Sequence, residues 1–211
     1  MRPTQVILAI VLGLSSFVTA TPLDTRATLV HCTSDQHQML QDALSQSSRM
    51  AKAGADTIRS GSNYGSALFQ SFFKTNDERA RSRVANILDQ ISEEALARGG
   101  GKVSYSCSPD GIRCSNPGES FFITAYGETN GYYGRIRTCP AYFSLVRFSN
   151  QCDRLDQATS STHEMAHTKG IYGPETYGFY QVHQLDTATA MENAESYAFF
   201  AKSAFLNCSV H

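Results

Sequence analysis

The chain predicts an α+β fold, rich in helix, with a small sheet or hairpin at its centre. Three observations carry this expectation. Two long segments near the start place apolar residues at helical spacing, the middle third turns to β-forming residues broken by turns, and helical patterning returns after Cys152.

The first segment stands outside that fold. Residues 1–20 carry one early cation (Arg2), an apolar run from Val6 to Leu14 and a Val18-Thr19-Ala20 end, the layout of a secretory signal peptide cleaved after Ala20. The run is shorter than the roughly 20 residues a spanning helix needs, so no membrane anchor is expected. Residues 21–28 then read as a short linker or pro-segment, and residues 29–211 as one domain large enough for its own core.

Within the domain, residues 34–58 set Met39, Leu40, Ala43, Met50 and Ala53 on one helical face behind a Ser34-Asp35 start. Residues 77–98 repeat the pattern, with Asp77 as cap, a stripe of Val84, Ile87, Leu88, Ile91 and Leu96, and a stop at Gly99-Gly100-Gly101. Lys102–Cys107 and Ser120–Tyr126 read as short strands, separated by turns at Pro109-Asp110-Gly111, Asn116-Pro117-Gly118 and Asn130-Gly131. Helices are expected again over about 154–168 and about 189–206.

Composition narrows the function classes. Eighteen basic side chains face 19 acidic ones, for a net charge of −1 without a basic block, so nucleic acid is not an expected partner. Six cysteines in an exported chain favour three disulfides, with the pairing left open by spacing alone. No two lie close enough for a CxxC-type zinc knuckle. Asn207-Cys208-Ser209 matches a glycosylation acceptor whose cysteine is expected to be bridged.

The chemistry is concentrated in His163-Glu164-Met165-Ala166-His167. On a helix, residues four apart share a face, so His163 and His167 can offer two imidazoles to one ion. Glu164, beside the first ligand, is placed to hold water on the metal and act as general base. Zinc at such a site takes a third protein ligand, and none lies within the motif.

The stretch from Cys152 to Glu164 resembles the deuterolysin, or aspzincin, family of secreted fungal zinc endopeptidases. Phe72-Phe73-Lys74-Thr75-Asn76-Asp77, Thr138-Cys139-Pro140-Ala141-Tyr142-Phe143 and Asn193-Ala194-Glu195-Ser196-Tyr197-Ala198-Phe199-Phe200-Ala201 are similar to further segments of that family, so the likeness runs from about Cys32 to Cys208. It implies a zincin-like domain with one zinc ion per chain, acting as a monomer on protein or peptide substrates. It also implies the pairing Cys32–Cys107, Cys114–Cys139 and Cys152–Cys208, and a role for Tyr142 in stabilising the oxyanion.

At the expected third ligand the chain departs from the family pattern. The family's third ligand is an aspartate in a Gly-Thr-x-Asp-x-x-Tyr-Gly segment, but no aspartate lies here between His167 and Asp186. The loop before Tyr177-Gly178 is several residues shorter. Glu175, two residues before Tyr177, is the first candidate, because its extra methylene lets it reach across a shortened loop. Glu195 and Asp186 follow. The expected function is a secreted zinc-dependent metalloendopeptidase; the alternative is a catalytically impaired secreted effector or zinc-binding interaction protein.

Overall fold

A computed structural model of the chain describes residues 28–96, 101–114, 125–129 and 134–210. The expected signal peptide, the Gly99-Gly100 stop, the Asn116-Pro117-Gly118 and Asn130-Gly131 turns and most of the Ser120–Tyr126 strand lie outside the described residues.

The architecture is helix-rich α+β, with a four-stranded sheet of β1 (Thr28–Val30), β2 (Val103–Ser106), β4 (Gly134–Thr138) and β3 (Ala125–Thr129), in that spatial order. The pairs β1–β2 and β2–β4 are parallel, whereas β3 runs antiparallel to β4 and, like β1, stands at an edge of the sheet among the described residues. The parallel pairs require long crossovers, and three helices supply the first. These are α1 (Ser34–Arg59), α2 (Asn63–Phe73) and α3 (Glu78–Ala95).

Local chemistry sets the helix ends. Thr33, one residue earlier than expected, caps α1 in a reciprocal capping box with Gln36. Asp77 caps α3 as expected, accepting from the amides of Arg79 and Ala80 at 3.0 and 3.1 Å. Because α3 ends at Ala95, Leu96 leaves the stripe and is 47% exposed, while Val84, Leu88 and Ile91 are fully buried. The sequence reading passes over α2, which Ser62 caps and which carries Leu68, Phe69, Phe72 and Phe73 into the core.

After β4 come α4 (Pro140–Ser144), α5 (Gln157–Thr168), α6 (Phe179–Val182), α7 (Thr187–Glu192) and α8 (Ala194–Leu206). The final helix expected as one piece is broken at Asn193, which is extended (φ −100°, ψ 112°). Helix α1 packs against α3, α8 and α5. The rings of Phe69, Phe72, Phe73 and Phe200 meet edge-on or tilted at centroid distances of 4.8–6.0 Å.

The disulfides are Cys32–Cys107, Cys114–Cys139 and Cys152–Cys208, with Cα separations of 4.9, 5.7 and 6.2 Å. The last ties the approach to α5 to the end of α8. Beside it, Lys202 of α8 and Asp156, the N-cap of α5, form an ion pair at 2.7 Å with both side chains fully buried.

Candidate metal centre

Helix α5 carries the two histidines, and its sequence is unusual for a buried helix. Thr159, Ser160, Ser161 and Thr162 are all buried, so no apolar stripe marks one face. The chain can bury them because their hydroxyls find partners. Thr159 bonds Asp156 at 2.8 Å, Thr162 bonds the Ala158 carbonyl at 2.9 Å and Ser47 at 2.8 Å, and Ser161 meets the hydroxyls of Tyr142 and Tyr105 at 2.8 and 3.1 Å. Asp156 fixes the start of the helix by accepting from the amides of Thr159 and Ser149 as well as from Lys202.

This frame brings His163, His167 and Glu175 together, with one ligand atom of each lying within 4.8 Å of the others. Their contacts assign the tautomers. His163 Nδ1 meets the Glu195 carboxylate at 2.8 Å and His167 Nδ1 meets the Ile171 carbonyl at 2.7 Å; both partners only accept, so both Nδ1 atoms carry hydrogen. The two Nε2 atoms therefore direct lone pairs at each other across 3.1 Å. The Glu175 oxygens stand 3.6 Å from His163 Nε2 and 3.7 Å from His167 Nε2. They are buried without a well-formed hydrogen bond; the Ala194 amide is the backbone donor that acts on them.

Such a cluster of acceptors calls for a cation. A tetrahedral zinc ion with bonds of about 2.0–2.2 Å holds its ligand atoms roughly 3.3–3.5 Å apart. The two Nε2 atoms, 3.1 Å apart, and the two Glu175 oxygens, each just beyond that spacing from a different imidazole at 3.6 and 3.7 Å, form a donor set of two imidazoles and a carboxylate that fits zinc after a small adjustment. Without a metal, a proton does the same work. Burial works to lower the His163 pKa, but the Glu195 hydrogen bond and the charges of Glu164, Glu195 and Glu175 hold it up at about 9. Burial and its charged neighbour His163 push His167 down to about 4.

Glu164 feels the charges of this cluster and also meets β3. Its carboxylate accepts the Gly127 amide, and burial pushes its pKa up to about 7, with the charges of Glu175 and Glu195 adding to the rise and His163 opposing it. The strand lies so close to α5 that a Cβ at Gly127 would sit 2.4 Å from the Glu164 carbonyl oxygen, which only glycine avoids.

The remaining candidates are placed elsewhere. Glu195 sits behind His163 and accepts the Gly178 amide on its second oxygen at 3.0 Å. Asp186 caps α7 through the Thr189 amide at 2.8 Å. Tyr142 is fully buried, and its hydroxyl bonds Ser161 and donates to the Gln157 carbonyl at 3.3 Å. Sequence reasoning passed over Tyr177, whose ring stacks on His163 at 5.7 Å and 20° while remaining 64% exposed. Partial burial and the charges of Glu175, Glu164 and Glu195 push its hydroxyl up to about 12. The available signal was its place two residues after Glu175. Tyr172, half exposed, stacks on His167 in the same way at 5.5 Å and 15°.

Comparison with known proteins identifies relatives and a family. A neutral protease 2 homolog of Aspergillus fumigatus is 37% identical over 193 residues, covering 89% of this chain and 40% of that protein. Neutral protease 2 of Aspergillus oryzae is 31% identical over 191 residues, covering 88% of this chain and 51% of that protein. The chain thus spans about half or less of the length of these two relatives. A zinc peptidase from Grifola frondosa shares the fold, with a TM-score of 0.63 at 18% identity over 82% of this chain and 97% of that one. The family model described as the deuterolysin metalloprotease (M35) family matches residues 13–208, nearly the whole chain, and this chain belongs to that family.

Proposed function

We propose that the protein is a secreted zinc metalloendopeptidase that hydrolyses peptide bonds in proteins or peptides as a monomer. The convergence of His163, His167 and Glu175 beside a buried Glu164 carries this reading. These three residues would hold one zinc ion, which when bound supplies Lewis acidity for a peptide carbonyl and acidifies water. Glu195 fixes the orientation of His163, and the Ile171 carbonyl that of His167.

Glu164 is the proton carrier. A carboxyl with a pKa near 7 takes a proton from attacking water and returns it to the departing amine at comparable ease. Strand β3 lies against the same helix, and among the described residues its outer edge has no strand partner, so it could take up an extended peptide. Tyr177, exposed over the face of His163, is the tyrosine positioned to donate to an oxyanion; Tyr142 supports α5 from within the core. Family membership and three disulfides support secretion.

The test is zinc content per chain together with casein cleavage, with and without chelator, in the parent and in Glu164→Gln. Expected are one zinc per chain, chelator-sensitive cleavage, and a Glu164→Gln protein that keeps its zinc but loses activity. Stoichiometric zinc without chelator-sensitive cleavage would overturn the peptidase reading in favour of a zinc-binding effector.

A further inference from the structure

We propose that Asn193 is a positioning residue that holds Glu175 at the metal, a reading that rests on the zinc site proposed above. Among the described residues the Glu175 carboxylate makes no well-formed hydrogen bond, with only the Ala194 amide acting on it, so its place is set chiefly by the backbone that carries it. That backbone is gripped by one side chain. Asn193 Oδ1 accepts the Thr176 amide at 3.2 Å, and Asn193 Nδ2 donates to the Thr176 carbonyl at 3.1 Å. The pair imitates a strand partner for the residue next to the ligand.

Asn193 gives up its ordinary local role to do this. It occupies the N-cap position of α8, where an asparagine oxygen usually accepts an amide of the first turn, yet it makes no such bond. The side chain is fully buried, and a third bond, from Nδ2 to Ser196 Oγ at 3.1 Å, holds its rotamer. The break between α7 and α8 is what points it at the loop.

Two neighbours complete the grip. The Gly173 amide donates to the Glu192 carbonyl at 2.8 Å, so close that a Cβ on Gly173 would lie 2.6 Å from that oxygen. The Gly178 amide donates to Glu195 Oε1, while Oε2 of the same carboxylate holds His163. Residues 192–195 therefore fasten the ligand loop at three points, and Asn193 is the point adjacent to Glu175.

The experiment is a double-mutant cycle on zinc affinity, measured by chelator competition, for the parent, Asn193→Ser, Glu175→Ala and the combination. Serine retains helix-capping ability, which protects the fold, but is too short to reach both Thr176 groups. Asn193→Ser is expected to weaken zinc by about 10–100-fold in the parent and by less than about 3-fold in Glu175→Ala, because the residues act through each other. The cobalt-substituted Asn193→Ser protein should also show an altered visible spectrum, which a general loss of stability would not produce. Equal losses in both backgrounds, or no loss in the parent, would overturn the proposal. A parent whose zinc depends on Glu175 but not on Asn193 overturns this inference alone; a parent that takes up no zinc overturns the zinc site as well.

Discussion

Replacing Glu175 by aspartate tests the geometry of the site most directly. The change keeps the charge and withdraws the carboxylate by one carbon–carbon bond, roughly 1.5 Å. Ligand distances in metal sites tolerate about 0.2 Å. Each Glu175 oxygen already stands slightly too far from its nearest imidazole, at 3.6 and 3.7 Å, so the withdrawal cannot be absorbed within the side chain. The loop would have to follow it inward. Its bonds to Asn193 and Glu192 oppose that movement. Removing a residue that merely supports a ligand costs about 10–100-fold in affinity, so loss of the ligand itself should cost at least about 100-fold, or about 2.8 kcal/mol. Chelator competition would measure it, with Asp186→Ala as a variant expected to bind zinc like the parent. Zinc affinity in Glu175→Asp within a factor of about three of the parent would refute the reasoning.

Two further outcomes are expected. Lys202→Met strands Asp156 in the core, and breaking such a pair costs about 3–5 kcal/mol. Three other donors still reach Asp156, so urea unfolding should show a loss near about 3 kcal/mol and a larger one in Asp156→Ala. A loss below about 1 kcal/mol in Lys202→Met would contradict this account of the α5–α8 junction. Tyr177→Phe should lower kcat by about 10²–10³ with zinc affinity unchanged, whereas Tyr142→Phe should cost about 1 kcal/mol of stability and leave kcat near the parent's. The reverse pattern in kcat would return the oxyanion role to Tyr142.

What could be read in advance follows from how local each feature is. The i, i+4 spacing of His163 and His167 is a property of one helix, and the amphipathic stripes of α1 and α3 are equally self-contained. The meeting of Glu175 with the two histidines was readable because few carboxylates follow the second histidine. The parallel pairing of β1 with β2 was not, since nothing within either strand names a partner more than 70 residues away. The break at Asn193 was hidden as well: the residues around it suit a helix, and only the loop it grips explains its extended backbone. Tyr142 and Tyr177 show the same limit. Tyr142 lies in a segment that resembles the family and Tyr177 closes the one that departs from it, but it is burial that separates a tyrosine locked in the core from one standing open over His163.

The Cys152–Cys208 bridge and the Lys202–Asp156 pair join α5 and α8 at the end remote from the metal ligands. One of these helices carries both histidines, and the other begins with the residues that orient His163 and hold the Glu175 loop. The metal-free chain is therefore already shaped for its ion. Zinc uptake should release a proton from the cluster with little change in helix content. In this respect the domain differs from small zinc folds that acquire their structure only when the metal arrives.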